Sequence, residues 1–345
     1  MKKQIFVLLV LVFCFHLTSC NNMTESIIKK RMEQQQEQIT SFKDGRLHVI
    51  LVGTGGPLPN EKRISATSIA VIAGKEFILV DVGPGVVRNM GLQGLPLGSI
   101  TAVFLTHFHS DHISDLGELA FMSWAQGRTR QKLMVFGPEG VKQVVNGYNI
   151  AYSLDSSYRV AHHGEEIMPS PAAGIVANTL SIPDPKIDVP FYNHNGLIVS
   201  VFLVDHHPAE PAVGYRFEYK GKVVVITGDT KKTETLANHA KAADLFICDA
   251  LDVKLVETMS RVAAETKQPR LAAQLHDIQD YHMTPVQAAE VAKKAGVRKL
   301  IFVHIVPPLT NFVAKNSFLA GVDDIYDGDI ILGEDGMTFS LNPQY

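Results

Sequence analysis

The chain has 345 residues and three cysteines, with 32 Lys and Arg against 35 Asp and Glu. A net charge of −3 provides no basic stripe for a polyanion, so we do not expect a long nucleic acid as a partner. The cysteines are too few for a disulfide framework, which leaves the apolar core and any bound metal to hold the fold. The length is sufficient for one large two-layered α/β domain.

The N-terminus has the pattern of an export signal. Two lysines precede an apolar run at 5–17, which suits a signal-peptide core and is too short to cross a membrane comfortably. The run leads into the sequence LTSC, which ends at Cys20 and resembles the bacterial lipobox; an ordinary signal peptide with an incidental cysteine is the alternative. We therefore expect a lipoprotein signal peptide at 1–19, lipidation of Cys20, and export to the outer membrane, facing the periplasm. The polar residues 20–42 are predicted to be a tether.

Residues 43–345 alternate between short β-branched runs and helical patterns, which predicts one catalytic domain built from two blocks. The first block has predicted strands at 46–52, 67–72, 76–82, 101–106 and 132–136, and predicted helices at 113–126 and from 139. The second block has predicted strands at 197–204, 212–219, 222–227, 245–249 and 299–304, and a predicted helix at 284–295. Hairpins early in each block and helices later predict an α/β fold, an αββα sandwich of two facing mixed β-sheets flanked by helices.

The stretch 158–195 breaks this rhythm. It carries several prolines between less regular segments, and we interpret it as an insertion near the mouth of the active site. The start of the last helix is better marked, because Thr284 can serve as its N-cap and Pro285 suits the first turn.

A dense group of potential metal ligands follows the predicted strand at 101–106. His107, His109, Asp111 and His112 lie within six consecutive residues. Alternation at the strand end directs the first two histidines to the same side, and the following turn can bring the other two residues towards a second ion. Zinc binds imidazole nitrogen and carboxylate oxygen, and catalytic sites keep a position open for water. The pattern therefore favours a catalytic metal site over a histidine-rich surface loop.

The sequence His-x-His-x-Asp-His resembles the metal-binding motif of the metallo-β-lactamase superfamily, and the resemblance extends from about 46 to 332. It implies that Asp81 supports the metal loop without being a ligand. It also implies that His206 is the third histidine of the first site, with His207 as the alternative. The implied ligands are His107, His109 and His206 for one zinc ion, Asp111, His112 and His304 for a second, and Asp229 shared by both. Manganese or iron could occupy the same donors.

Two such ions would make hydroxide available at neutral pH and polarise an ester. Asp111 and His282 are the predicted catalytic residues. The sequences Gly53–Pro57, Gly214–Arg216 and His282–Thr284 are similar to ribonuclease Z. This resemblance implies that His282 stabilises the transition state or protonates the leaving group; a helix-start histidine without a catalytic role is the alternative. A tRNA-processing enzyme would work in the cytoplasm with a basic arm, which 160–195 does not provide.

The exported arylsulfatases of this fold are the branch that we favour from the sequence, because 204–219 resembles that group. Arg159 or His163 would then contact the anionic group of the substrate, although an ion pair between Asp155 and Arg159 on one helix is the alternative. The predicted function is a dizinc hydrolase of small sulfate or phosphate esters. The alternatives are a ribonuclease Z-like phosphodiesterase and a metal-stabilised binding lipoprotein without turnover. The expected partners are a small anionic ester, the membrane through the lipid anchor, and a second copy in a homodimer.

Overall fold

The computed structural model describes residues 23–30, 32, 33, 37, 40–58, 63–182, 184 and 186–344. The predicted signal peptide at 1–19 and the lipidation site Cys20 lie outside the described residues, and both stay predictions. The described residues among 23–41 are helical and exposed, and they define α1. In the described part of the chain, no helix is both long enough and apolar enough to span a bilayer.

The described residues form two seven-stranded sheets. The strands are β1 Leu47–Gly53, β2 Ser68–Ala73, β3 Glu76–Val80, β4 Ala102–Phe104, β5 Leu133–Gly137, β6 Ile175–Thr179, β7 Val189–His194, β8 Leu197–Val204, β9 Ala212–Tyr219, β10 Lys222–Ile226, β11 Leu245–Leu251, β12 Lys299–Val306, β13 Asp329–Leu332 and β14 Thr338–Leu341. The first sheet has the order β14-β1-β2-β3-β4-β5-β6 and the second the order β13-β12-β11-β10-β9-β8-β7. Each sheet is mixed, because its hairpins pair antiparallel and its later strands pair parallel.

Helices cover the outer face of each sheet. They are α2 Val86–Leu92, α3 Ser110–Ile113, α4 Leu116–Ala125, α5 Val141–Ala151, α6 Ser153–His163, α7 Leu236–His239, α8 Val253–Glu265, α9 Pro269–Asp277, α10 Pro285–Ala295 and α11 Phe312–Leu319. One apolar cluster joins the inner faces of the two sheets, a second joins the first sheet to α2, α4 and α5, and a third joins the second sheet to α7, α10 and α11. The predicted αββα sandwich is confirmed.

The start of α10 agrees with the sequence in detail. Thr284 accepts a hydrogen bond from the backbone of Gln287, and the Gln287 side chain accepts one from the backbone of Thr284, which makes a complete capping box. The positioning of this helix matters because His282 lies two residues before its cap.

The stretch 158–195 contributes to both sheets. It includes β6, an edge strand of the first sheet, and β7, an edge strand of the second. Tyr192 in β7 also donates a hydrogen bond to Glu76 in β3, so this stretch ties the two sheets together. The sequence did not reveal either strand, because prolines and a register shift beside Pro190 obscure the alternation of β7.

Candidate metal centre

The candidate centre lies where strands of both sheets end. β4 is followed by the segment His107–His112, β8 by His206 and β10 by Asp229, while His304 lies near the end of β12. β4 belongs to the first sheet and the other three strands to the second, so the side chains meet at the seam between the halves. All seven predicted ligands are brought together. Their donor atoms form two groups, each within 4.8 Å: His107, His109, His206 and Asp229, and then Asp111, His112 and His304.

The first group contains three imidazole nitrogens that face one another. Nε2 of His107 lies 3.0 Å from Nδ1 of His109, and Nε2 of His206 lies 3.3 Å from the same atom. The opposite nitrogens are held elsewhere: Nδ1 of His107 donates to the Thr106 hydroxyl, and Nδ1 of His206 donates to the Tyr281 carbonyl. Both Nε2 atoms therefore present lone pairs to the ring of His109, which has at most one Nδ1 proton to offer. A cation satisfies such a convergence of acceptors.

The second group contains Asp111 and the two deeply buried histidines His112 and His304, and both histidines also face Asp229. Nε2 of His304 lies 3.1 Å from Oδ2 of Asp111 and 3.3 Å from Oδ2 of Asp229. Nε2 of His112 lies 3.4 Å from the same Asp229 oxygen. That oxygen also lies 3.9 Å from each of the two Nε2 atoms of the first group. One carboxylate oxygen thus lies between the groups, which is the position of a bridging ligand.

Unpaired polar atoms support a bound cation at this centre. Nε2 of His112 and Oδ1 of Asp229 are buried and have no hydrogen-bond partner among the described residues. Leaving such polar atoms unpaired in a protein interior costs about 1–3 kcal/mol each, so native structures rarely do so without a water or an ion. Imidazole and carboxylate together are a donor set suited to zinc and to other divalent metals.

The protonation of the centre follows from burial and charge. Burial lowers the pKa of His206 to about 4 and that of His107 well below its ordinary value, so both rings are neutral at neutral pH. Burial also opposes a charge on His304, but Asp229 and Asp111 together raise its pKa to about 9. The pKa of His112 is raised in the same way by Asp229 and Asp81.

Asp81, which the family resemblance makes a support of the metal loop, contacts the segment that carries the predicted ligands. Its carboxylate accepts hydrogen bonds from the backbone and the hydroxyl of Thr106 and from Nδ1 of His112 at 2.8 Å. Because the Thr106 hydroxyl gives its proton to Asp81, it can only accept from His107, which fixes the tautomer of that ring. Asp81 has a φ of 58° and His304 a φ of 45°, a left-handed backbone that is strained for these residues and that clusters at functional sites.

The structure distinguishes the two candidates for the third histidine. His206 is buried in the centre, with one ring nitrogen on the Tyr281 carbonyl and the other facing His109. The neighbouring His207 has a side chain that is 71% exposed, 3.8 Å from Glu210. Only His206 is placed to act as a ligand.

His282 lies at the same centre, and its partner was not found from the sequence. Its Nδ1 is 2.7 Å from Oδ2 of Asp249, a fully buried residue of β11. The ring therefore directs Nε2 towards the cluster, within 4.8 Å of donor atoms of Asp229 and His304. Burial lowers the pKa of His282 to about 4 and raises that of Asp249. Asp249 lies in an apolar strand without a motif, so only its position at the end of the predicted strand 245–249 could have drawn attention to it.

Arg159 and His163 have no contact with the predicted metal centre among the described residues. Arg159 pairs with Asp155 at 3.3 Å and lies 4.6 Å above the ring of Phe121, while His163 contacts the ring of His162. Within the described part of the chain, none of their hydrogen bonds, ion pairs or ring contacts involves the centre. Their role in substrate binding stays a prediction. The alternative, an ion pair between Asp155 and Arg159 on one helix, is present in the structure.

An αββα sandwich with a His/Asp cluster at the ends of its strands defines the class of metallo-β-lactamase-fold hydrolases. Residues 76–305 match the family model of the beta-lactamase superfamily domain. The chain therefore belongs to the metallo-β-lactamase superfamily, and ribonucleases Z are among its curated homologues.

Three relatives illustrate this likeness. Ribonuclease Z of Mycobacterium sp. (strain KMS) is 33% identical over 76% of this chain and 85% of its own length. Ribonuclease Z of Mycolicibacterium gilvum is 31% identical over 86% of this chain and 97% of its own. The crystal structure of the short form of human tRNase Z has a TM-score of 0.61 at 20% identity, covering 86% of this chain and 99% of that one, which supports the fold.

These homologues correct the expectation that no long nucleic acid is a partner. Ribonucleases act on RNA, and the human structure is that of a tRNase. The expectation relied on the net charge of −3. Net charge limits binders that neutralise many phosphates, but an enzyme that engages one phosphodiester at a metal centre does not need a basic surface of that size.

Proposed function

We propose that this protein is a metal-dependent phosphodiesterase that hydrolyses RNA, of the ribonuclease Z type. The observation that carries the proposal is the shared Asp229 oxygen, which lies between two groups of converging donors. Homology to ribonucleases Z over most of their length supports the choice of RNA. Small sulfate esters, which the sequence favoured as substrates, have no comparable support.

In this proposal the seven clustered side chains hold two divalent metal ions, with zinc as the first choice. His107, His109 and His206 serve one ion, Asp111, His112 and His304 serve the other, and Asp229 serves both. When bound, the ions polarise the phosphoryl group and supply a nucleophile at neutral pH. His109 and Asp111 lie on the more exposed side of the centre, so the scissile phosphate approaches from there.

His282 is the proposed proton carrier for the leaving oxygen. Asp249 holds its Nδ1, so the ring cannot turn and Nε2 stays directed at the centre. Because burial lowers the pKa of His282 to about 4, the ring is neutral at rest, and it is charged only while it carries a proton on Nε2 to the departing ribose oxygen. Asp249 stabilises the charged ring while it carries that proton, so it acts as a positioning residue.

The test compares three substrates with the zinc-loaded protein: a short RNA with a 3′ extension, a bis-aryl phosphate and an aryl sulfate. We expect both phosphodiesters to be hydrolysed faster than the sulfate, and the isosteric variant Asp229→Asn to lose at least about a hundredfold in kcat. His207→Ala is the matched control, because that histidine is exposed beside the centre and should leave the rates unchanged. Faster sulfate turnover would contradict the phosphodiesterase, and full activity in Asp229→Asn would contradict the metal assignment.

A further inference from the structure

Tyr281 is held against the centre by its backbone and its ring. Its carbonyl oxygen accepts the Nδ1 proton of His206 at 3.0 Å. Its ring centroid lies 4.9 Å from the ring of His206 and 4.7 Å from the ring of His282. The phenol therefore has a fixed position beside one predicted ligand and the predicted proton carrier.

The hydroxyl of Tyr281 is a spare donor. The ring is half-buried, and no hydrogen bond among the described residues uses this hydroxyl. Four other tyrosines among the described residues donate theirs to the protein. The hydroxyls of Tyr148, Tyr192, Tyr215 and Tyr326 donate to Ile113, Glu76, Leu105 and Val297 respectively. A donor that is fixed in place and unused beside a reaction centre is available to a ligand.

The hydroxyl of Tyr281 lies within electrostatic range of the carboxylates of Asp229 and Asp111, so it is near both groups of donors at the centre. A phenol offers a hydrogen-bond donor without a negative charge that would repel a phosphate.

We propose that the hydroxyl of Tyr281 donates a hydrogen bond to a non-bridging oxygen of the substrate's phosphoryl group. This inference rests on the proposed function, since it assigns a substrate contact within the same centre. The hydrogen bond orients the phosphoryl group and strengthens as charge develops on its oxygens in the transition state. No bond to Tyr281 forms or breaks.

The test is Tyr281→Phe, which keeps the backbone carbonyl and both ring contacts and removes only the hydroxyl. For the zinc-loaded variant we expect kcat/KM on a bis-aryl phosphate to fall about ten- to a hundredfold. Inhibition by inorganic phosphate should weaken by a similar factor, while zinc content and Tm stay at the wild-type values. Tyr158→Phe is the matched control, because Tyr158 is an exposed tyrosine on α6 and should leave both measurements unchanged.

Unchanged kinetics and unchanged phosphate inhibition in Tyr281→Phe overturn the inference. A loss confined to Tyr281→Ala and to RNA would assign the ring to base stacking and would overturn the hydroxyl contact as well. If wild type hydrolyses no phosphodiester, the proposed function fails, and equilibrium binding of phosphate to the zinc-loaded protein still decides the inference. Equal phosphate affinity of wild type and Tyr281→Phe, or no phosphate binding by wild type, would then refute it.

Discussion

At the scale of single residues, the second hydrogen-bond partner decides whether a histidine can bind a metal. His206 and His207 are neighbours of the same type, yet only His206 has its Nδ1 fixed on a carbonyl so that Nε2 faces the cluster. The same logic applies to His112, which Asp81 orients, and to His282, which Asp249 orients. Such partners fix the tautomer and the direction of the lone pair, which is why their loss affects metal affinity or rate.

Replacing Asp249 by Asn should impair catalysis and spare metal binding. The amide can still contact Nδ1 of His282 but carries no charge to stabilise the protonated ring, so we expect kcat to fall about ten- to a hundredfold at unchanged zinc content. Steady-state kinetics with metal analysis checks this. Asp252→Asn is the control, since this buried carboxylate caps α8 and its loss should lower Tm without changing kcat. Wild-type kcat in Asp249→Asn would remove Asp249 from the mechanism.

Metal uptake by the metal-free protein should release protons. The pKa of His304 is raised to about 9 and that of His112 is raised well above its ordinary value, so both rings hold a proton at pH 7.5 that a ligand nitrogen must lose. His206, with a pKa of about 4, is already neutral. We expect about two protons released on loading, and an apparent zinc affinity that rises with pH up to about 9. Titration calorimetry in buffers of different ionisation enthalpy measures this, and heats that do not depend on the buffer would contradict it.

At the scale of elements, the sequence predicted the strands and helices that are marked by a pattern within their own residues. The strand before His107, the hairpin of β9 and β10 and the capped helix α10 have periodicity or turn residues that stand out in the chain. The edge strands β6 and β7 do not, because each pairs on one side only and β7 contains a proline and a register shift. The pairing of Asp249 with His282 joins residues 33 positions apart, and no local pattern encodes it.

Gly83 is predicted to be essential for the metal loop. A Cβ at this position would lie 1.7 Å from the carbonyl oxygen of Asp111 and 2.7 Å from the side chain of Ala66. Gly83→Ala should therefore displace Asp111, lowering zinc content and Tm. Gly91→Ala is the matched control, because Gly91 lies in α2 with nothing within 4 Å of a Cβ, and it should raise stability by about 0.5–1 kcal/mol. Thermal unfolding and metal analysis of both variants test the contrast. Full zinc content in Gly83→Ala would show that the loop can move.

At the scale of the whole molecule, the centre joins the two halves of the sandwich. His107, His109, Asp111 and His112 follow a strand of the first sheet, and the remaining predicted ligands come from the second sheet. The order of these residues along the chain was predictable from the family motif, whereas the seam that brings them together depends on the packing of the sheets. A bound metal would therefore link the two sheets, and it could do so only in the folded protein, where these ligands lie together.

Removing the metal should lower the stability of the entire domain. A ligand that binds only the native state stabilises it by about 2.7 kcal/mol when its concentration is a hundred times its dissociation constant. For a domain of about 300 residues, that corresponds to a decrease in Tm of about 4 °C on chelation. Calorimetry of the zinc-loaded and chelator-treated protein measures the difference. His207→Ala should show the full decrease and Asp229→Asn a smaller one, because the shared carboxylate is missing. An unchanged Tm after verified removal of zinc would mean that packing alone holds the halves together.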